Sequence, residues 1–480
     1  MSSIVPSSSE LGRKQGDPQA AAGSAKGQID DSVSAPGDDR SRRTPALRPP
    51  TFQVVRGGPG DHPAVHRFLV SVFQRPSTAD FQAQLEDPRY EPTDRLLIKQ
   101  GPAIVGHLRL LPREMRFGSR FLPVSIVSDV ATLPQVRGCG SGIALLSEAQ
   151  RQMFDNGSIM GVLRTDQPGF YAKLGWVVCG RHSYSTASPR AILSHLHASQ
   201  QAQTSSVPDV LQGSRQRQYN IRLWRHVEEA ALRRLYDENT SVSYGPLKRD
   251  EAYWRWLINR GGSEKVYVVI DGPDKLELDD RLTPIVAYAA TKEGRIVEIM
   301  SSADHPEAVA ALLARACGDA IEQDFHRVRI DAEPGHFLHH DLVAAGGSCH
   351  YHEADHGLVF MVKLLDLPKF IAQISDELLQ RARDAALARP SELGLLLNNR
   401  KFRLLIGKRK VQLIPGKIGR SYLKCDVQDL TKLLLGHLEA EEAIDAGRLQ
   451  ASTRVARQVA SIMFPRLPFW HPPWDELPAD

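Results

Sequence analysis

Residues 128–153, SDVATLPQVRGCGSGIALLSEAQRQM, decide the fold of this chain. The stretch predicts an apolar strand that ends before Pro134, a glycine-rich turn and an amphipathic helix. Gly138, Gly140 and Gly142 carry no Cβ, so the main chain there can approach a ligand closely. Unpaired N–H groups and a partial positive charge at the start of the following helix favour a phosphate. The sequence therefore predicts a phosphate-binding loop.

Two common phosphate-binding motifs do not fit this loop. A nucleoside-triphosphate loop needs a lysine and a hydroxyl residue after its last glycine, whereas Ile143 and Ala144 follow Gly142. A dinucleotide fingerprint needs a glycine where Ile143 stands and an acidic residue at the end of the next strand. That strand, predicted at residues 158–163, contains no acid.

The remaining pattern is Gln135-x-x-Gly138-x-Gly140 with Arg137 beside it, and it resembles the coenzyme A pyrophosphate loop of the GNAT acyltransferase superfamily. After one helix and one strand comes DQPGFYAKLGW at residues 166–176, which is similar to the segment that closes the coenzyme site in these enzymes. Two motifs in this order are far more specific than a glycine turn alone. The resemblance implies acetyl-CoA as co-substrate.

Composition limits the class of protein. The 480 residues are 42% hydrophobic and 24% charged, which is typical of a soluble globular protein with about three domains. A net charge of +4 gives no indication of a nucleic-acid or membrane partner. The five cysteines are scattered without a C-x-x-C pair, which argues against disulfides and zinc knuckles and predicts a reducing, cytoplasmic compartment. No apolar run approaches the length of about 18 residues that a membrane span requires.

The composition changes along the chain. Residues 1–50 are rich in Ser, Gly, Ala and Pro and are predicted to form a disordered tail, because they offer too little apolar surface to offset the entropy of ordering. Residues 51–195 predict strands and helices in the order β-α-β-β-β-α-β-α-β, and the polar residues 196–217 predict a linker. Residues 218–364 repeat the element order, and residues 365–480 predict a smaller α/β unit.

The second copy lacks the glycine-rich loop. In its place stands SADHPE at residues 302–307, which contains two acids and no glycine, so we expect no coenzyme binding there. Two GNAT-like units followed by a small α/β unit resemble the family named for enhanced intracellular survival. The resemblance implies an α/β (α+β) fold with an active GNAT domain, a degenerate GNAT-like domain and a sterol-carrier-protein-like domain.

The resemblance also implies roles for particular residues. The strand Val130-Ala131-Thr132 would splay from its neighbour and offer backbone N–H groups to the thioester carbonyl. Tyr171 would protonate the leaving thiolate, because a phenol with a pKa of about 10 stays protonated at neutral pH; the alternative is an aromatic that only caps the core. The coenzyme-binding residues would be Val130, Ala131, Thr132, Arg137, Gly138, Cys139, Gly140, Ser141, Gly142, Ile143 and Asp166.

The general base is predicted in the C-terminal segment. In the family the terminal carboxylate accepts the amine proton, and the matching group here would be that of Asp480. The last residues could span about 50 Å when extended, so reach is not limiting. Phe469, Trp470 and Trp474 make the segment too apolar to be a free end, and a docked structural tail stays open as the alternative.

The acceptor implied by the resemblance is a primary amine, either on a polyamino compound such as an aminoglycoside or on a lysine side chain. A pocket for a polycation should be lined with acids, and Asp129, Glu148 and Asp166 are the candidates by proximity in sequence. The ring-like assemblies of the family imply a possible homo-oligomer.

Two other residue clusters have ordinary structural explanations. Six histidines, together with Cys349, match no zinc pattern and predict no metal site; they are His336, His339, His340, His350, His352 and His356. The basic runs at 400–403 and 408–410 alternate with apolar residues at strand period. They therefore predict the solvated faces of half-buried strands rather than a nucleic-acid surface.

The sequence thus predicts an acetyl-CoA-dependent N-acetyltransferase that works by direct transfer in a ternary complex, without a metal. The competing hypothesis is a non-catalytic acyl-CoA-binding or scaffold protein whose third domain binds a lipid or a protein partner. Coenzyme release in the presence of amines separates the two hypotheses.

Overall fold

The computed structural model describes residues 52–205, 219–272, 285–355 and 357–476. The predicted tail at residues 1–50 and the predicted base Asp480 lie outside these ranges. Within them no helix is long and apolar enough to cross a lipid bilayer.

The first part of the chain contains the two sequence motifs. Its elements are β1 (Val54–Arg56), α1 (His62–Phe73), α2 (Thr78–Leu85), β2 (Arg95–Gln100), β3 (Ala103–Phe117), β4 (Arg120–Thr132), α3 (Ser141–Asp155), β5 (Met160–Thr165), α4 (Pro168–Ala172) and β6 (Val177–Val178).

The middle part carries the second copy of the element order. Its elements are β7 (His182–Ala187), α5 (Pro189–Ser205), β8 (Tyr219–Leu223), α6 (Glu229–Asn239), β9 (Tyr244–Leu247), α7 (Glu251–Asn259), β10 (Lys265–Asp271), β11 (Ile285–Lys292), β12 (Arg295–Ser301), α8 (Glu307–Glu322), β13 (Val328–Asp331), α9 (Phe337–Ala344), β14 (Ser348–His352), β15 (Ala354–Asp355) and β16 (Leu358–Leu364).

The last part is the small α/β unit. Its elements are α10 (Leu367–Gln373), α11 (Ser375–Asp384), β17 (Ser391–Leu397), β18 (Arg400–Ile406), β19 (Val411–Pro415), β20 (Tyr422–Cys425), α12 (Val427–Leu434), α13 (Ala440–Asp445), β21 (Gln450–Ala451) and α14 (Arg454–Met463). The mixed α/β class predicted from the sequence is confirmed.

Three sheets organise these elements. The first has nine strands, in the order β1-β2-β3-β4-β5-β16-β15, with β6 paired to β16 and β9 paired to β3. The second has seven strands, in the order β14-β7-β13-β12-β11-β10-β8, and the third has five, in the order β19-β18-β17-β20-β21.

The first sheet separates two layers of helices. Leu97, Ile104 and Ala131 pack against α1 and α2 on one face. On the other face Leu145 and Met153 of α3 pack against the sheet, because the apolar residues of this helix recur at the spacing of one helical face.

Two strands are exchanged between the first and second sheets. In sequence β7 directly follows the elements of the first part of the chain, but it pairs with β13 and β14 of the second sheet. In return β16, at the end of the second copy, pairs with β5 of the first sheet. The boundaries predicted at 51–195 and 218–364 therefore do not coincide with the sheets. Apolar β16, with Met361 and Val362 fully buried, fills the inner position beside β5.

The helix α5 occupies the first part of the predicted linker. It runs through Ser205, so residues 196–205 are helical, and residues 206–217 lie outside the described ranges. Ile192, Leu193 and Leu196 pack on the second core, and this packing overrides the polar composition of the segment.

The third sheet shares a continuous core with the first sheet, near the hairpin that joins β3 to β4. Phe370 of α10 meets Phe117 of β3 edge to face, with ring centroids 5.5 Å apart. Buried residues of β17, α11 and α14 extend the same cluster. The apolar side of the third sheet is thus covered by helices and by the first sheet.

Candidate active site

The glycine-rich loop has the geometry that its sequence predicts. A short 3-10 turn, Pro134–Val136, follows β4, and Gly140 is the N-cap of α3. Gly138 and Gly140 have φ angles of 75° and 91°, a region that residues with a side chain rarely adopt. A Cβ at either position would meet nothing within 4 Å, so the backbone conformation, not crowding, selects glycine here. The Ser141 hydroxyl donates to the Val136 carbonyl at 2.9 Å and closes the turn.

The start of α3 is open to an anion. Gly140 offers no side chain to cap the helix, and its first turn contains no acid. The N–H groups of this turn have no acceptor within the helix, so an outside phosphate can satisfy them. Arg137 and Cys139 are exposed beside the turn, and the Arg137 Nε donates to the Thr132 carbonyl at 3.3 Å.

The strand β4 separates from β5 just before the loop. The two strands pair in parallel only from Val124 to Ile126, while β16 pairs with the opposite edge of β5 from Met160 to Thr165. The register of β4 against β3 shifts at a bulge where Asp129 has a φ of 52°. Such a bulge turns the strand and interrupts its pairing. The segment Val130–Thr132 therefore lies along the opening between β4 and β5, with Ala131 buried against α1.

The second motif packs directly on the loop. A Cβ at Gly142 would lie 3.0 Å from Cζ of Phe170, so the ring rests on the first turn of α3. Tyr171 contacts Phe170 and Trp176 edge to face, with centroid distances of 5.1 and 6.3 Å. Trp176 itself fits because Gly161 has no side chain: a Cβ there would lie 2.8 Å from the indole. Glycines on two elements thus set the position of Tyr171.

Tyr171 is held in its protonated form. Only 7% of the residue is exposed. Burial raises the pKa of its hydroxyl to about 12, with a small contribution from Asp166, while a hydrogen bond with Thr165 opposes the rise. At neutral pH this phenol can donate a proton but cannot act as a base. Asp166, predicted to contact the coenzyme, is exposed at the end of β5.

A buried polar chain supports the bulge of β4. His107 lies between the Asp129 carbonyl, 2.8 Å from Nδ1, and Nη1 of Arg95, 3.1 Å from Nε2. Since the carbonyl can only accept and the guanidinium can only donate, this histidine is neutral with its proton on Nδ1. Burial and then Arg95 lower the pKa of His107 to about 3. Arg109 forms an ion pair with the Asp129 carboxylate at 3.0 Å.

The three acids predicted to line an acceptor pocket do not converge. Glu148 lies on α3 and pairs with Arg151, Nε to Oε2 being 2.9 Å. Asp129 lies beside the cations of the opposite face; burial opposes its ionisation, but Arg109 and Arg95 lower its pKa. Asp166 stays exposed. No shared acidic pocket for a polycation results from these residues.

A cleft lies at the outer end of β5, on the face away from α3. It is a shallow cleft open to solvent, and Phe360, Trp470 and Glu476 are among its lining residues. Arg164 of β5 forms an ion pair with Glu476, which also lies 3.5 Å from Nε2 of His471. Sequence reasoning missed this cleft. Its one local signal is a charged residue, Arg164, inside the apolar strand MGVLRT.

The C-terminal segment is docked, as its aromatic residues predict. The backbone N–H of Trp470 donates to the backbone carbonyl of Tyr244 at 2.9 Å. Trp474 is fully buried, and the centroid of its ring lies 5.8 Å from that of Trp254. Arg249 donates to Asp475 at 2.9 Å and to Glu298 at 2.7 Å, and all three side chains are almost completely buried. The second domain therefore anchors the tail.

The histidine cluster is distributed among structural contacts. His339 is buried, with its two ring nitrogens 3.0 and 2.7 Å from the hydroxyls of Ser183 and Ser185. His350 stacks on Tyr184 at 4.8 Å. Within the described ranges no group of three metal-ligating side chains is found; His356 lies outside them.

Comparisons with known proteins identify two of the three units. Residues 55–179 match the model of the acetyltransferase (GNAT) domain, and residues 394–471 match that of the sterol carrier protein domain. No sequence among the curated proteins matches this chain.

Solved structures match nearly the whole chain. A GCN5-related N-acetyltransferase from Anabaena variabilis gives a TM-score of 0.65 at 17% identity, covering 88% of this chain and 99% of that one. One from Kribbella flavida gives 0.64 at 17% identity, covering 88% and 97%. Eis1 from Mycobacterium abscessus gives 0.58 at 15% identity, covering 87% and 99%. At such identities these likenesses establish the fold.

The predicted resemblance is thus confirmed. The chain contains a GNAT acetyltransferase domain and a sterol-carrier-protein-like domain, in an architecture that Eis1 also adopts.

Proposed function

We propose that the protein is an acetyl-CoA-dependent N-acetyltransferase that acts on a primary amine by direct transfer. The observation that carries this proposal is the combination at the end of β4: the strand opens from β5, an uncapped helix start follows, and Phe170, which contacts the protonated Tyr171, packs on that helix start.

In the proposed mechanism the loop from Gly138 to Ile143 holds the pyrophosphate of acetyl-CoA, with Arg137 as a screening cation. The segment Val130–Thr132 directs backbone N–H groups at the thioester carbonyl, where negative charge develops. The amine nitrogen attacks this carbon, and the bond to sulfur then breaks. The sulfur takes the proton of the Tyr171 hydroxyl, which solvent replaces.

The base that accepts the amine proton is proposed to be the carboxylate of Asp480. Glu476 pairs with Arg164 near the outer end of β5, and Asp480 lies four positions after Glu476 in the chain. Four extended residues span at most about 14 Å, so the chain is long enough for the Asp480 carboxylate to reach the region around the outer end of β5.

The charges around the cleft favour one kind of amine. Glu476 is paired with Arg164, and Asp331 with Arg295 and Arg329. Because each of these acids already has a cation, the cleft has no surplus negative charge. This supports a single amine, such as a lysine side chain or a small monoamine, over a polycation such as an aminoglycoside.

The test combines acetyl-CoA calorimetry with an assay of free thiol released in the presence of lysine peptides, monoamines and aminoglycosides. Tyr171→Phe is expected to lower kcat by about 100-fold or more, with acetyl-CoA affinity nearly unchanged. Tyr351→Phe, at an exposed tyrosine of the second sheet, is the matched control. Full turnover in Tyr171→Phe rejects the assignment of the acid.

The scaffold hypothesis makes the opposite prediction. Tight acetyl-CoA binding without thiol release for any amine would favour a non-catalytic acyl-CoA-binding protein. A homo-oligomer, implied by the family resemblance, is tested by sedimentation at several concentrations. All five cysteines are unpaired, which supports the proposed reducing, cytoplasmic compartment.

A further inference from the structure

We propose that the solvent face of the third sheet is a docking surface for an anionic phospholipid bilayer. Residues 391–425 contain nine lysines and arginines and one acid. The whole chain carries a net charge of only +4, so this segment concentrates a positive charge that the rest of the molecule balances.

The register of the strands brings these cations onto one face. On β17, Leu393, Leu395 and Leu397 are buried toward the helices, so the alternate residues point to the other face. Leu396 of β17 pairs with Lys401 of β18 on one side and with Lys424 of β20 on the other.

The neighbouring row across the sheet continues the pattern. Gly394 pairs with Arg403 of β18 and with Tyr422 of β20, and Arg403 pairs with Ile414 of β19. Cations and aliphatic side chains therefore alternate on this face, and Lys401, Lys424 and Ile414 are exposed.

Two loops add further cations to the face or its rim. The loop from β19 to β20 crosses this face, since a Cβ at Gly419 would lie 2.3 Å from Oε1 of Glu392; it carries Lys417 and Arg420, both exposed. The turn from β18 to β19 carries Lys408, Arg409 and Lys410, all exposed at one end of the sheet.

The cations of this face are not neutralised by the protein. Among the described residues the nine cations of this segment form one ion pair, that of Arg403 3.5 Å from Glu392. Arg400 pairs in register with Leu397 and lies toward the other face, so it does not belong to the surface. Several other acids of the same unit lie on its helices and pair there with other arginines, for example Asp445 with Arg457. The predicted tail at residues 1–50, with seven basic and six acidic residues, has no surplus acid to cover the face.

The mixture of side chains favours a bilayer over a nucleic acid. Single-stranded nucleic acids bind in grooves with several aromatic side chains for stacking, whereas Tyr422 is the one aromatic residue that the register puts on this face. Lysines attract the phosphates of a bilayer surface, and aliphatic side chains such as Ile414 and Leu396 can enter its headgroup layer. The sequences of the separate strands predict only that each has a solvated face. Pairing of the strands in one sheet joins these faces into a single surface.

The experiment measures partition of the full-length protein onto sucrose-loaded vesicles. We expect binding to vesicles of phosphatidylcholine with about one third phosphatidylglycerol, none to phosphatidylcholine alone, and loss of binding as salt rises from about 0.1 M to about 0.5 M. The triple variant Lys408→Glu, Arg409→Glu, Lys410→Glu should lower the partition coefficient at least about 100-fold, because three attractions become repulsions.

A second triple variant separates this surface from net charge. Arg190→Glu, Arg327→Glu and Arg383→Glu change three exposed arginines elsewhere by the same total charge and should leave vesicle binding nearly intact. Equal losses in the two variants, salt-insensitive binding or no binding to anionic vesicles would overturn the proposal. Tighter binding to an RNA than to vesicles at equal phosphate concentration would overturn it as well. Unchanged thermal unfolding of both variants verifies that they fold.

Discussion

Replacing Arg249 by methionine tests whether the second domain holds the C-terminal segment by a compensated charge. The guanidinium donates four hydrogen bonds, at 2.8 and 2.7 Å to Glu298 and at 3.1 and 2.9 Å to Asp475. Burial opposes its charge, but Asp475 and Glu298 raise the pKa of Arg249 well above its usual value. All three side chains are at most 1% exposed, so solvent cannot replace the lost partner.

The expected loss follows from what remains in Arg249→Met. Two carboxylates stay buried, with Tyr288 and Tyr253 as hydroxyl donors to Glu298 and Asp475. Breaking a buried ion pair from one side costs about 3–5 kcal/mol. The charge-free triple variant Arg249→Met, Glu298→Gln, Asp475→Asn leaves no charge uncompensated and should recover most of this loss. Urea unfolding at pH 7, followed by tryptophan fluorescence, measures both, since Trp254 and Trp474 flank the network.

The pH dependence of the free energy of unfolding gives a second test of the role of the Arg249 charge. In the native protein Arg249 lowers the pKa of Asp475 against the effect of burial. In Arg249→Met the largest contribution that opposes burial is lost and only those of His471 and Arg260 remain, so we expect the folded-state pKa of the carboxyl to rise above its unfolded value. Stability is then regained as the pH falls through the raised pKa, so the deficit should shrink between about pH 7 and pH 5. A deficit below about 1 kcal/mol, or a triple variant as unstable as the single one, would refute the reasoning.

Three further predictions concern the first domain. Gly142→Val presses a side chain against Phe170 and should raise the acetyl-CoA Kd at least about tenfold by calorimetry; Gly318→Val, at a helical glycine of α8 with nothing within 4 Å, is the control, and an unchanged Kd contradicts the loop assignment. The free energy of unfolding should fall as the pH is lowered from 6.5 toward about 3, because His107 stays neutral in the folded state while the histidine of the unfolded chain takes up a proton. His107→Gln should reduce this loss by up to about 4 kcal/mol. The same decrease of the free energy of unfolding with falling pH in the variant, measured by urea unfolding, argues against this role of His107. Removal of residues 477–480 should abolish turnover and preserve acetyl-CoA affinity, and normal turnover excludes Asp480 as the base.

The glycine-rich turn and the Tyr171 motif could be predicted from the sequence, because residues close together in the chain determine both. The positive φ angles of Gly138 and Gly140 follow from a turn that only glycine adopts easily. The burial of Tyr171 follows from the aromatic and glycine spacing of its motif. The interruption of pairing between β4 and β5 was expected from the same resemblance, although the bulge at Asp129 was not.

The long-range parts could not be predicted in this way. Hydrophobic alternation shows that β7 and β16 are strands, but it carries no information on which sheet each one joins. The pair of Arg164 and Glu476 joins residues 312 positions apart. The acids proposed for an acceptor pocket were chosen by proximity in sequence, and two of them, Asp129 and Glu148, pair with arginines on opposite faces of the sheet.

The strand exchange explains how a second domain without a coenzyme loop can still contribute to the first. β16, which ends the second copy, pairs along the whole of β5 on the edge opposite to β4, and so holds β5 in the sheet where β4 no longer pairs with it, beside the opening in which we propose that the thioester binds. The same copy buries Trp474 and Asp475, which fixes the segment that ends at Glu476 against Arg164 of β5. A change in the second core, such as loss of Arg249, would therefore alter turnover without touching the coenzyme loop. Such a change should lower kcat while the acetyl-CoA Kd stays constant, and a parallel loss of both would show that the two domains unfold together.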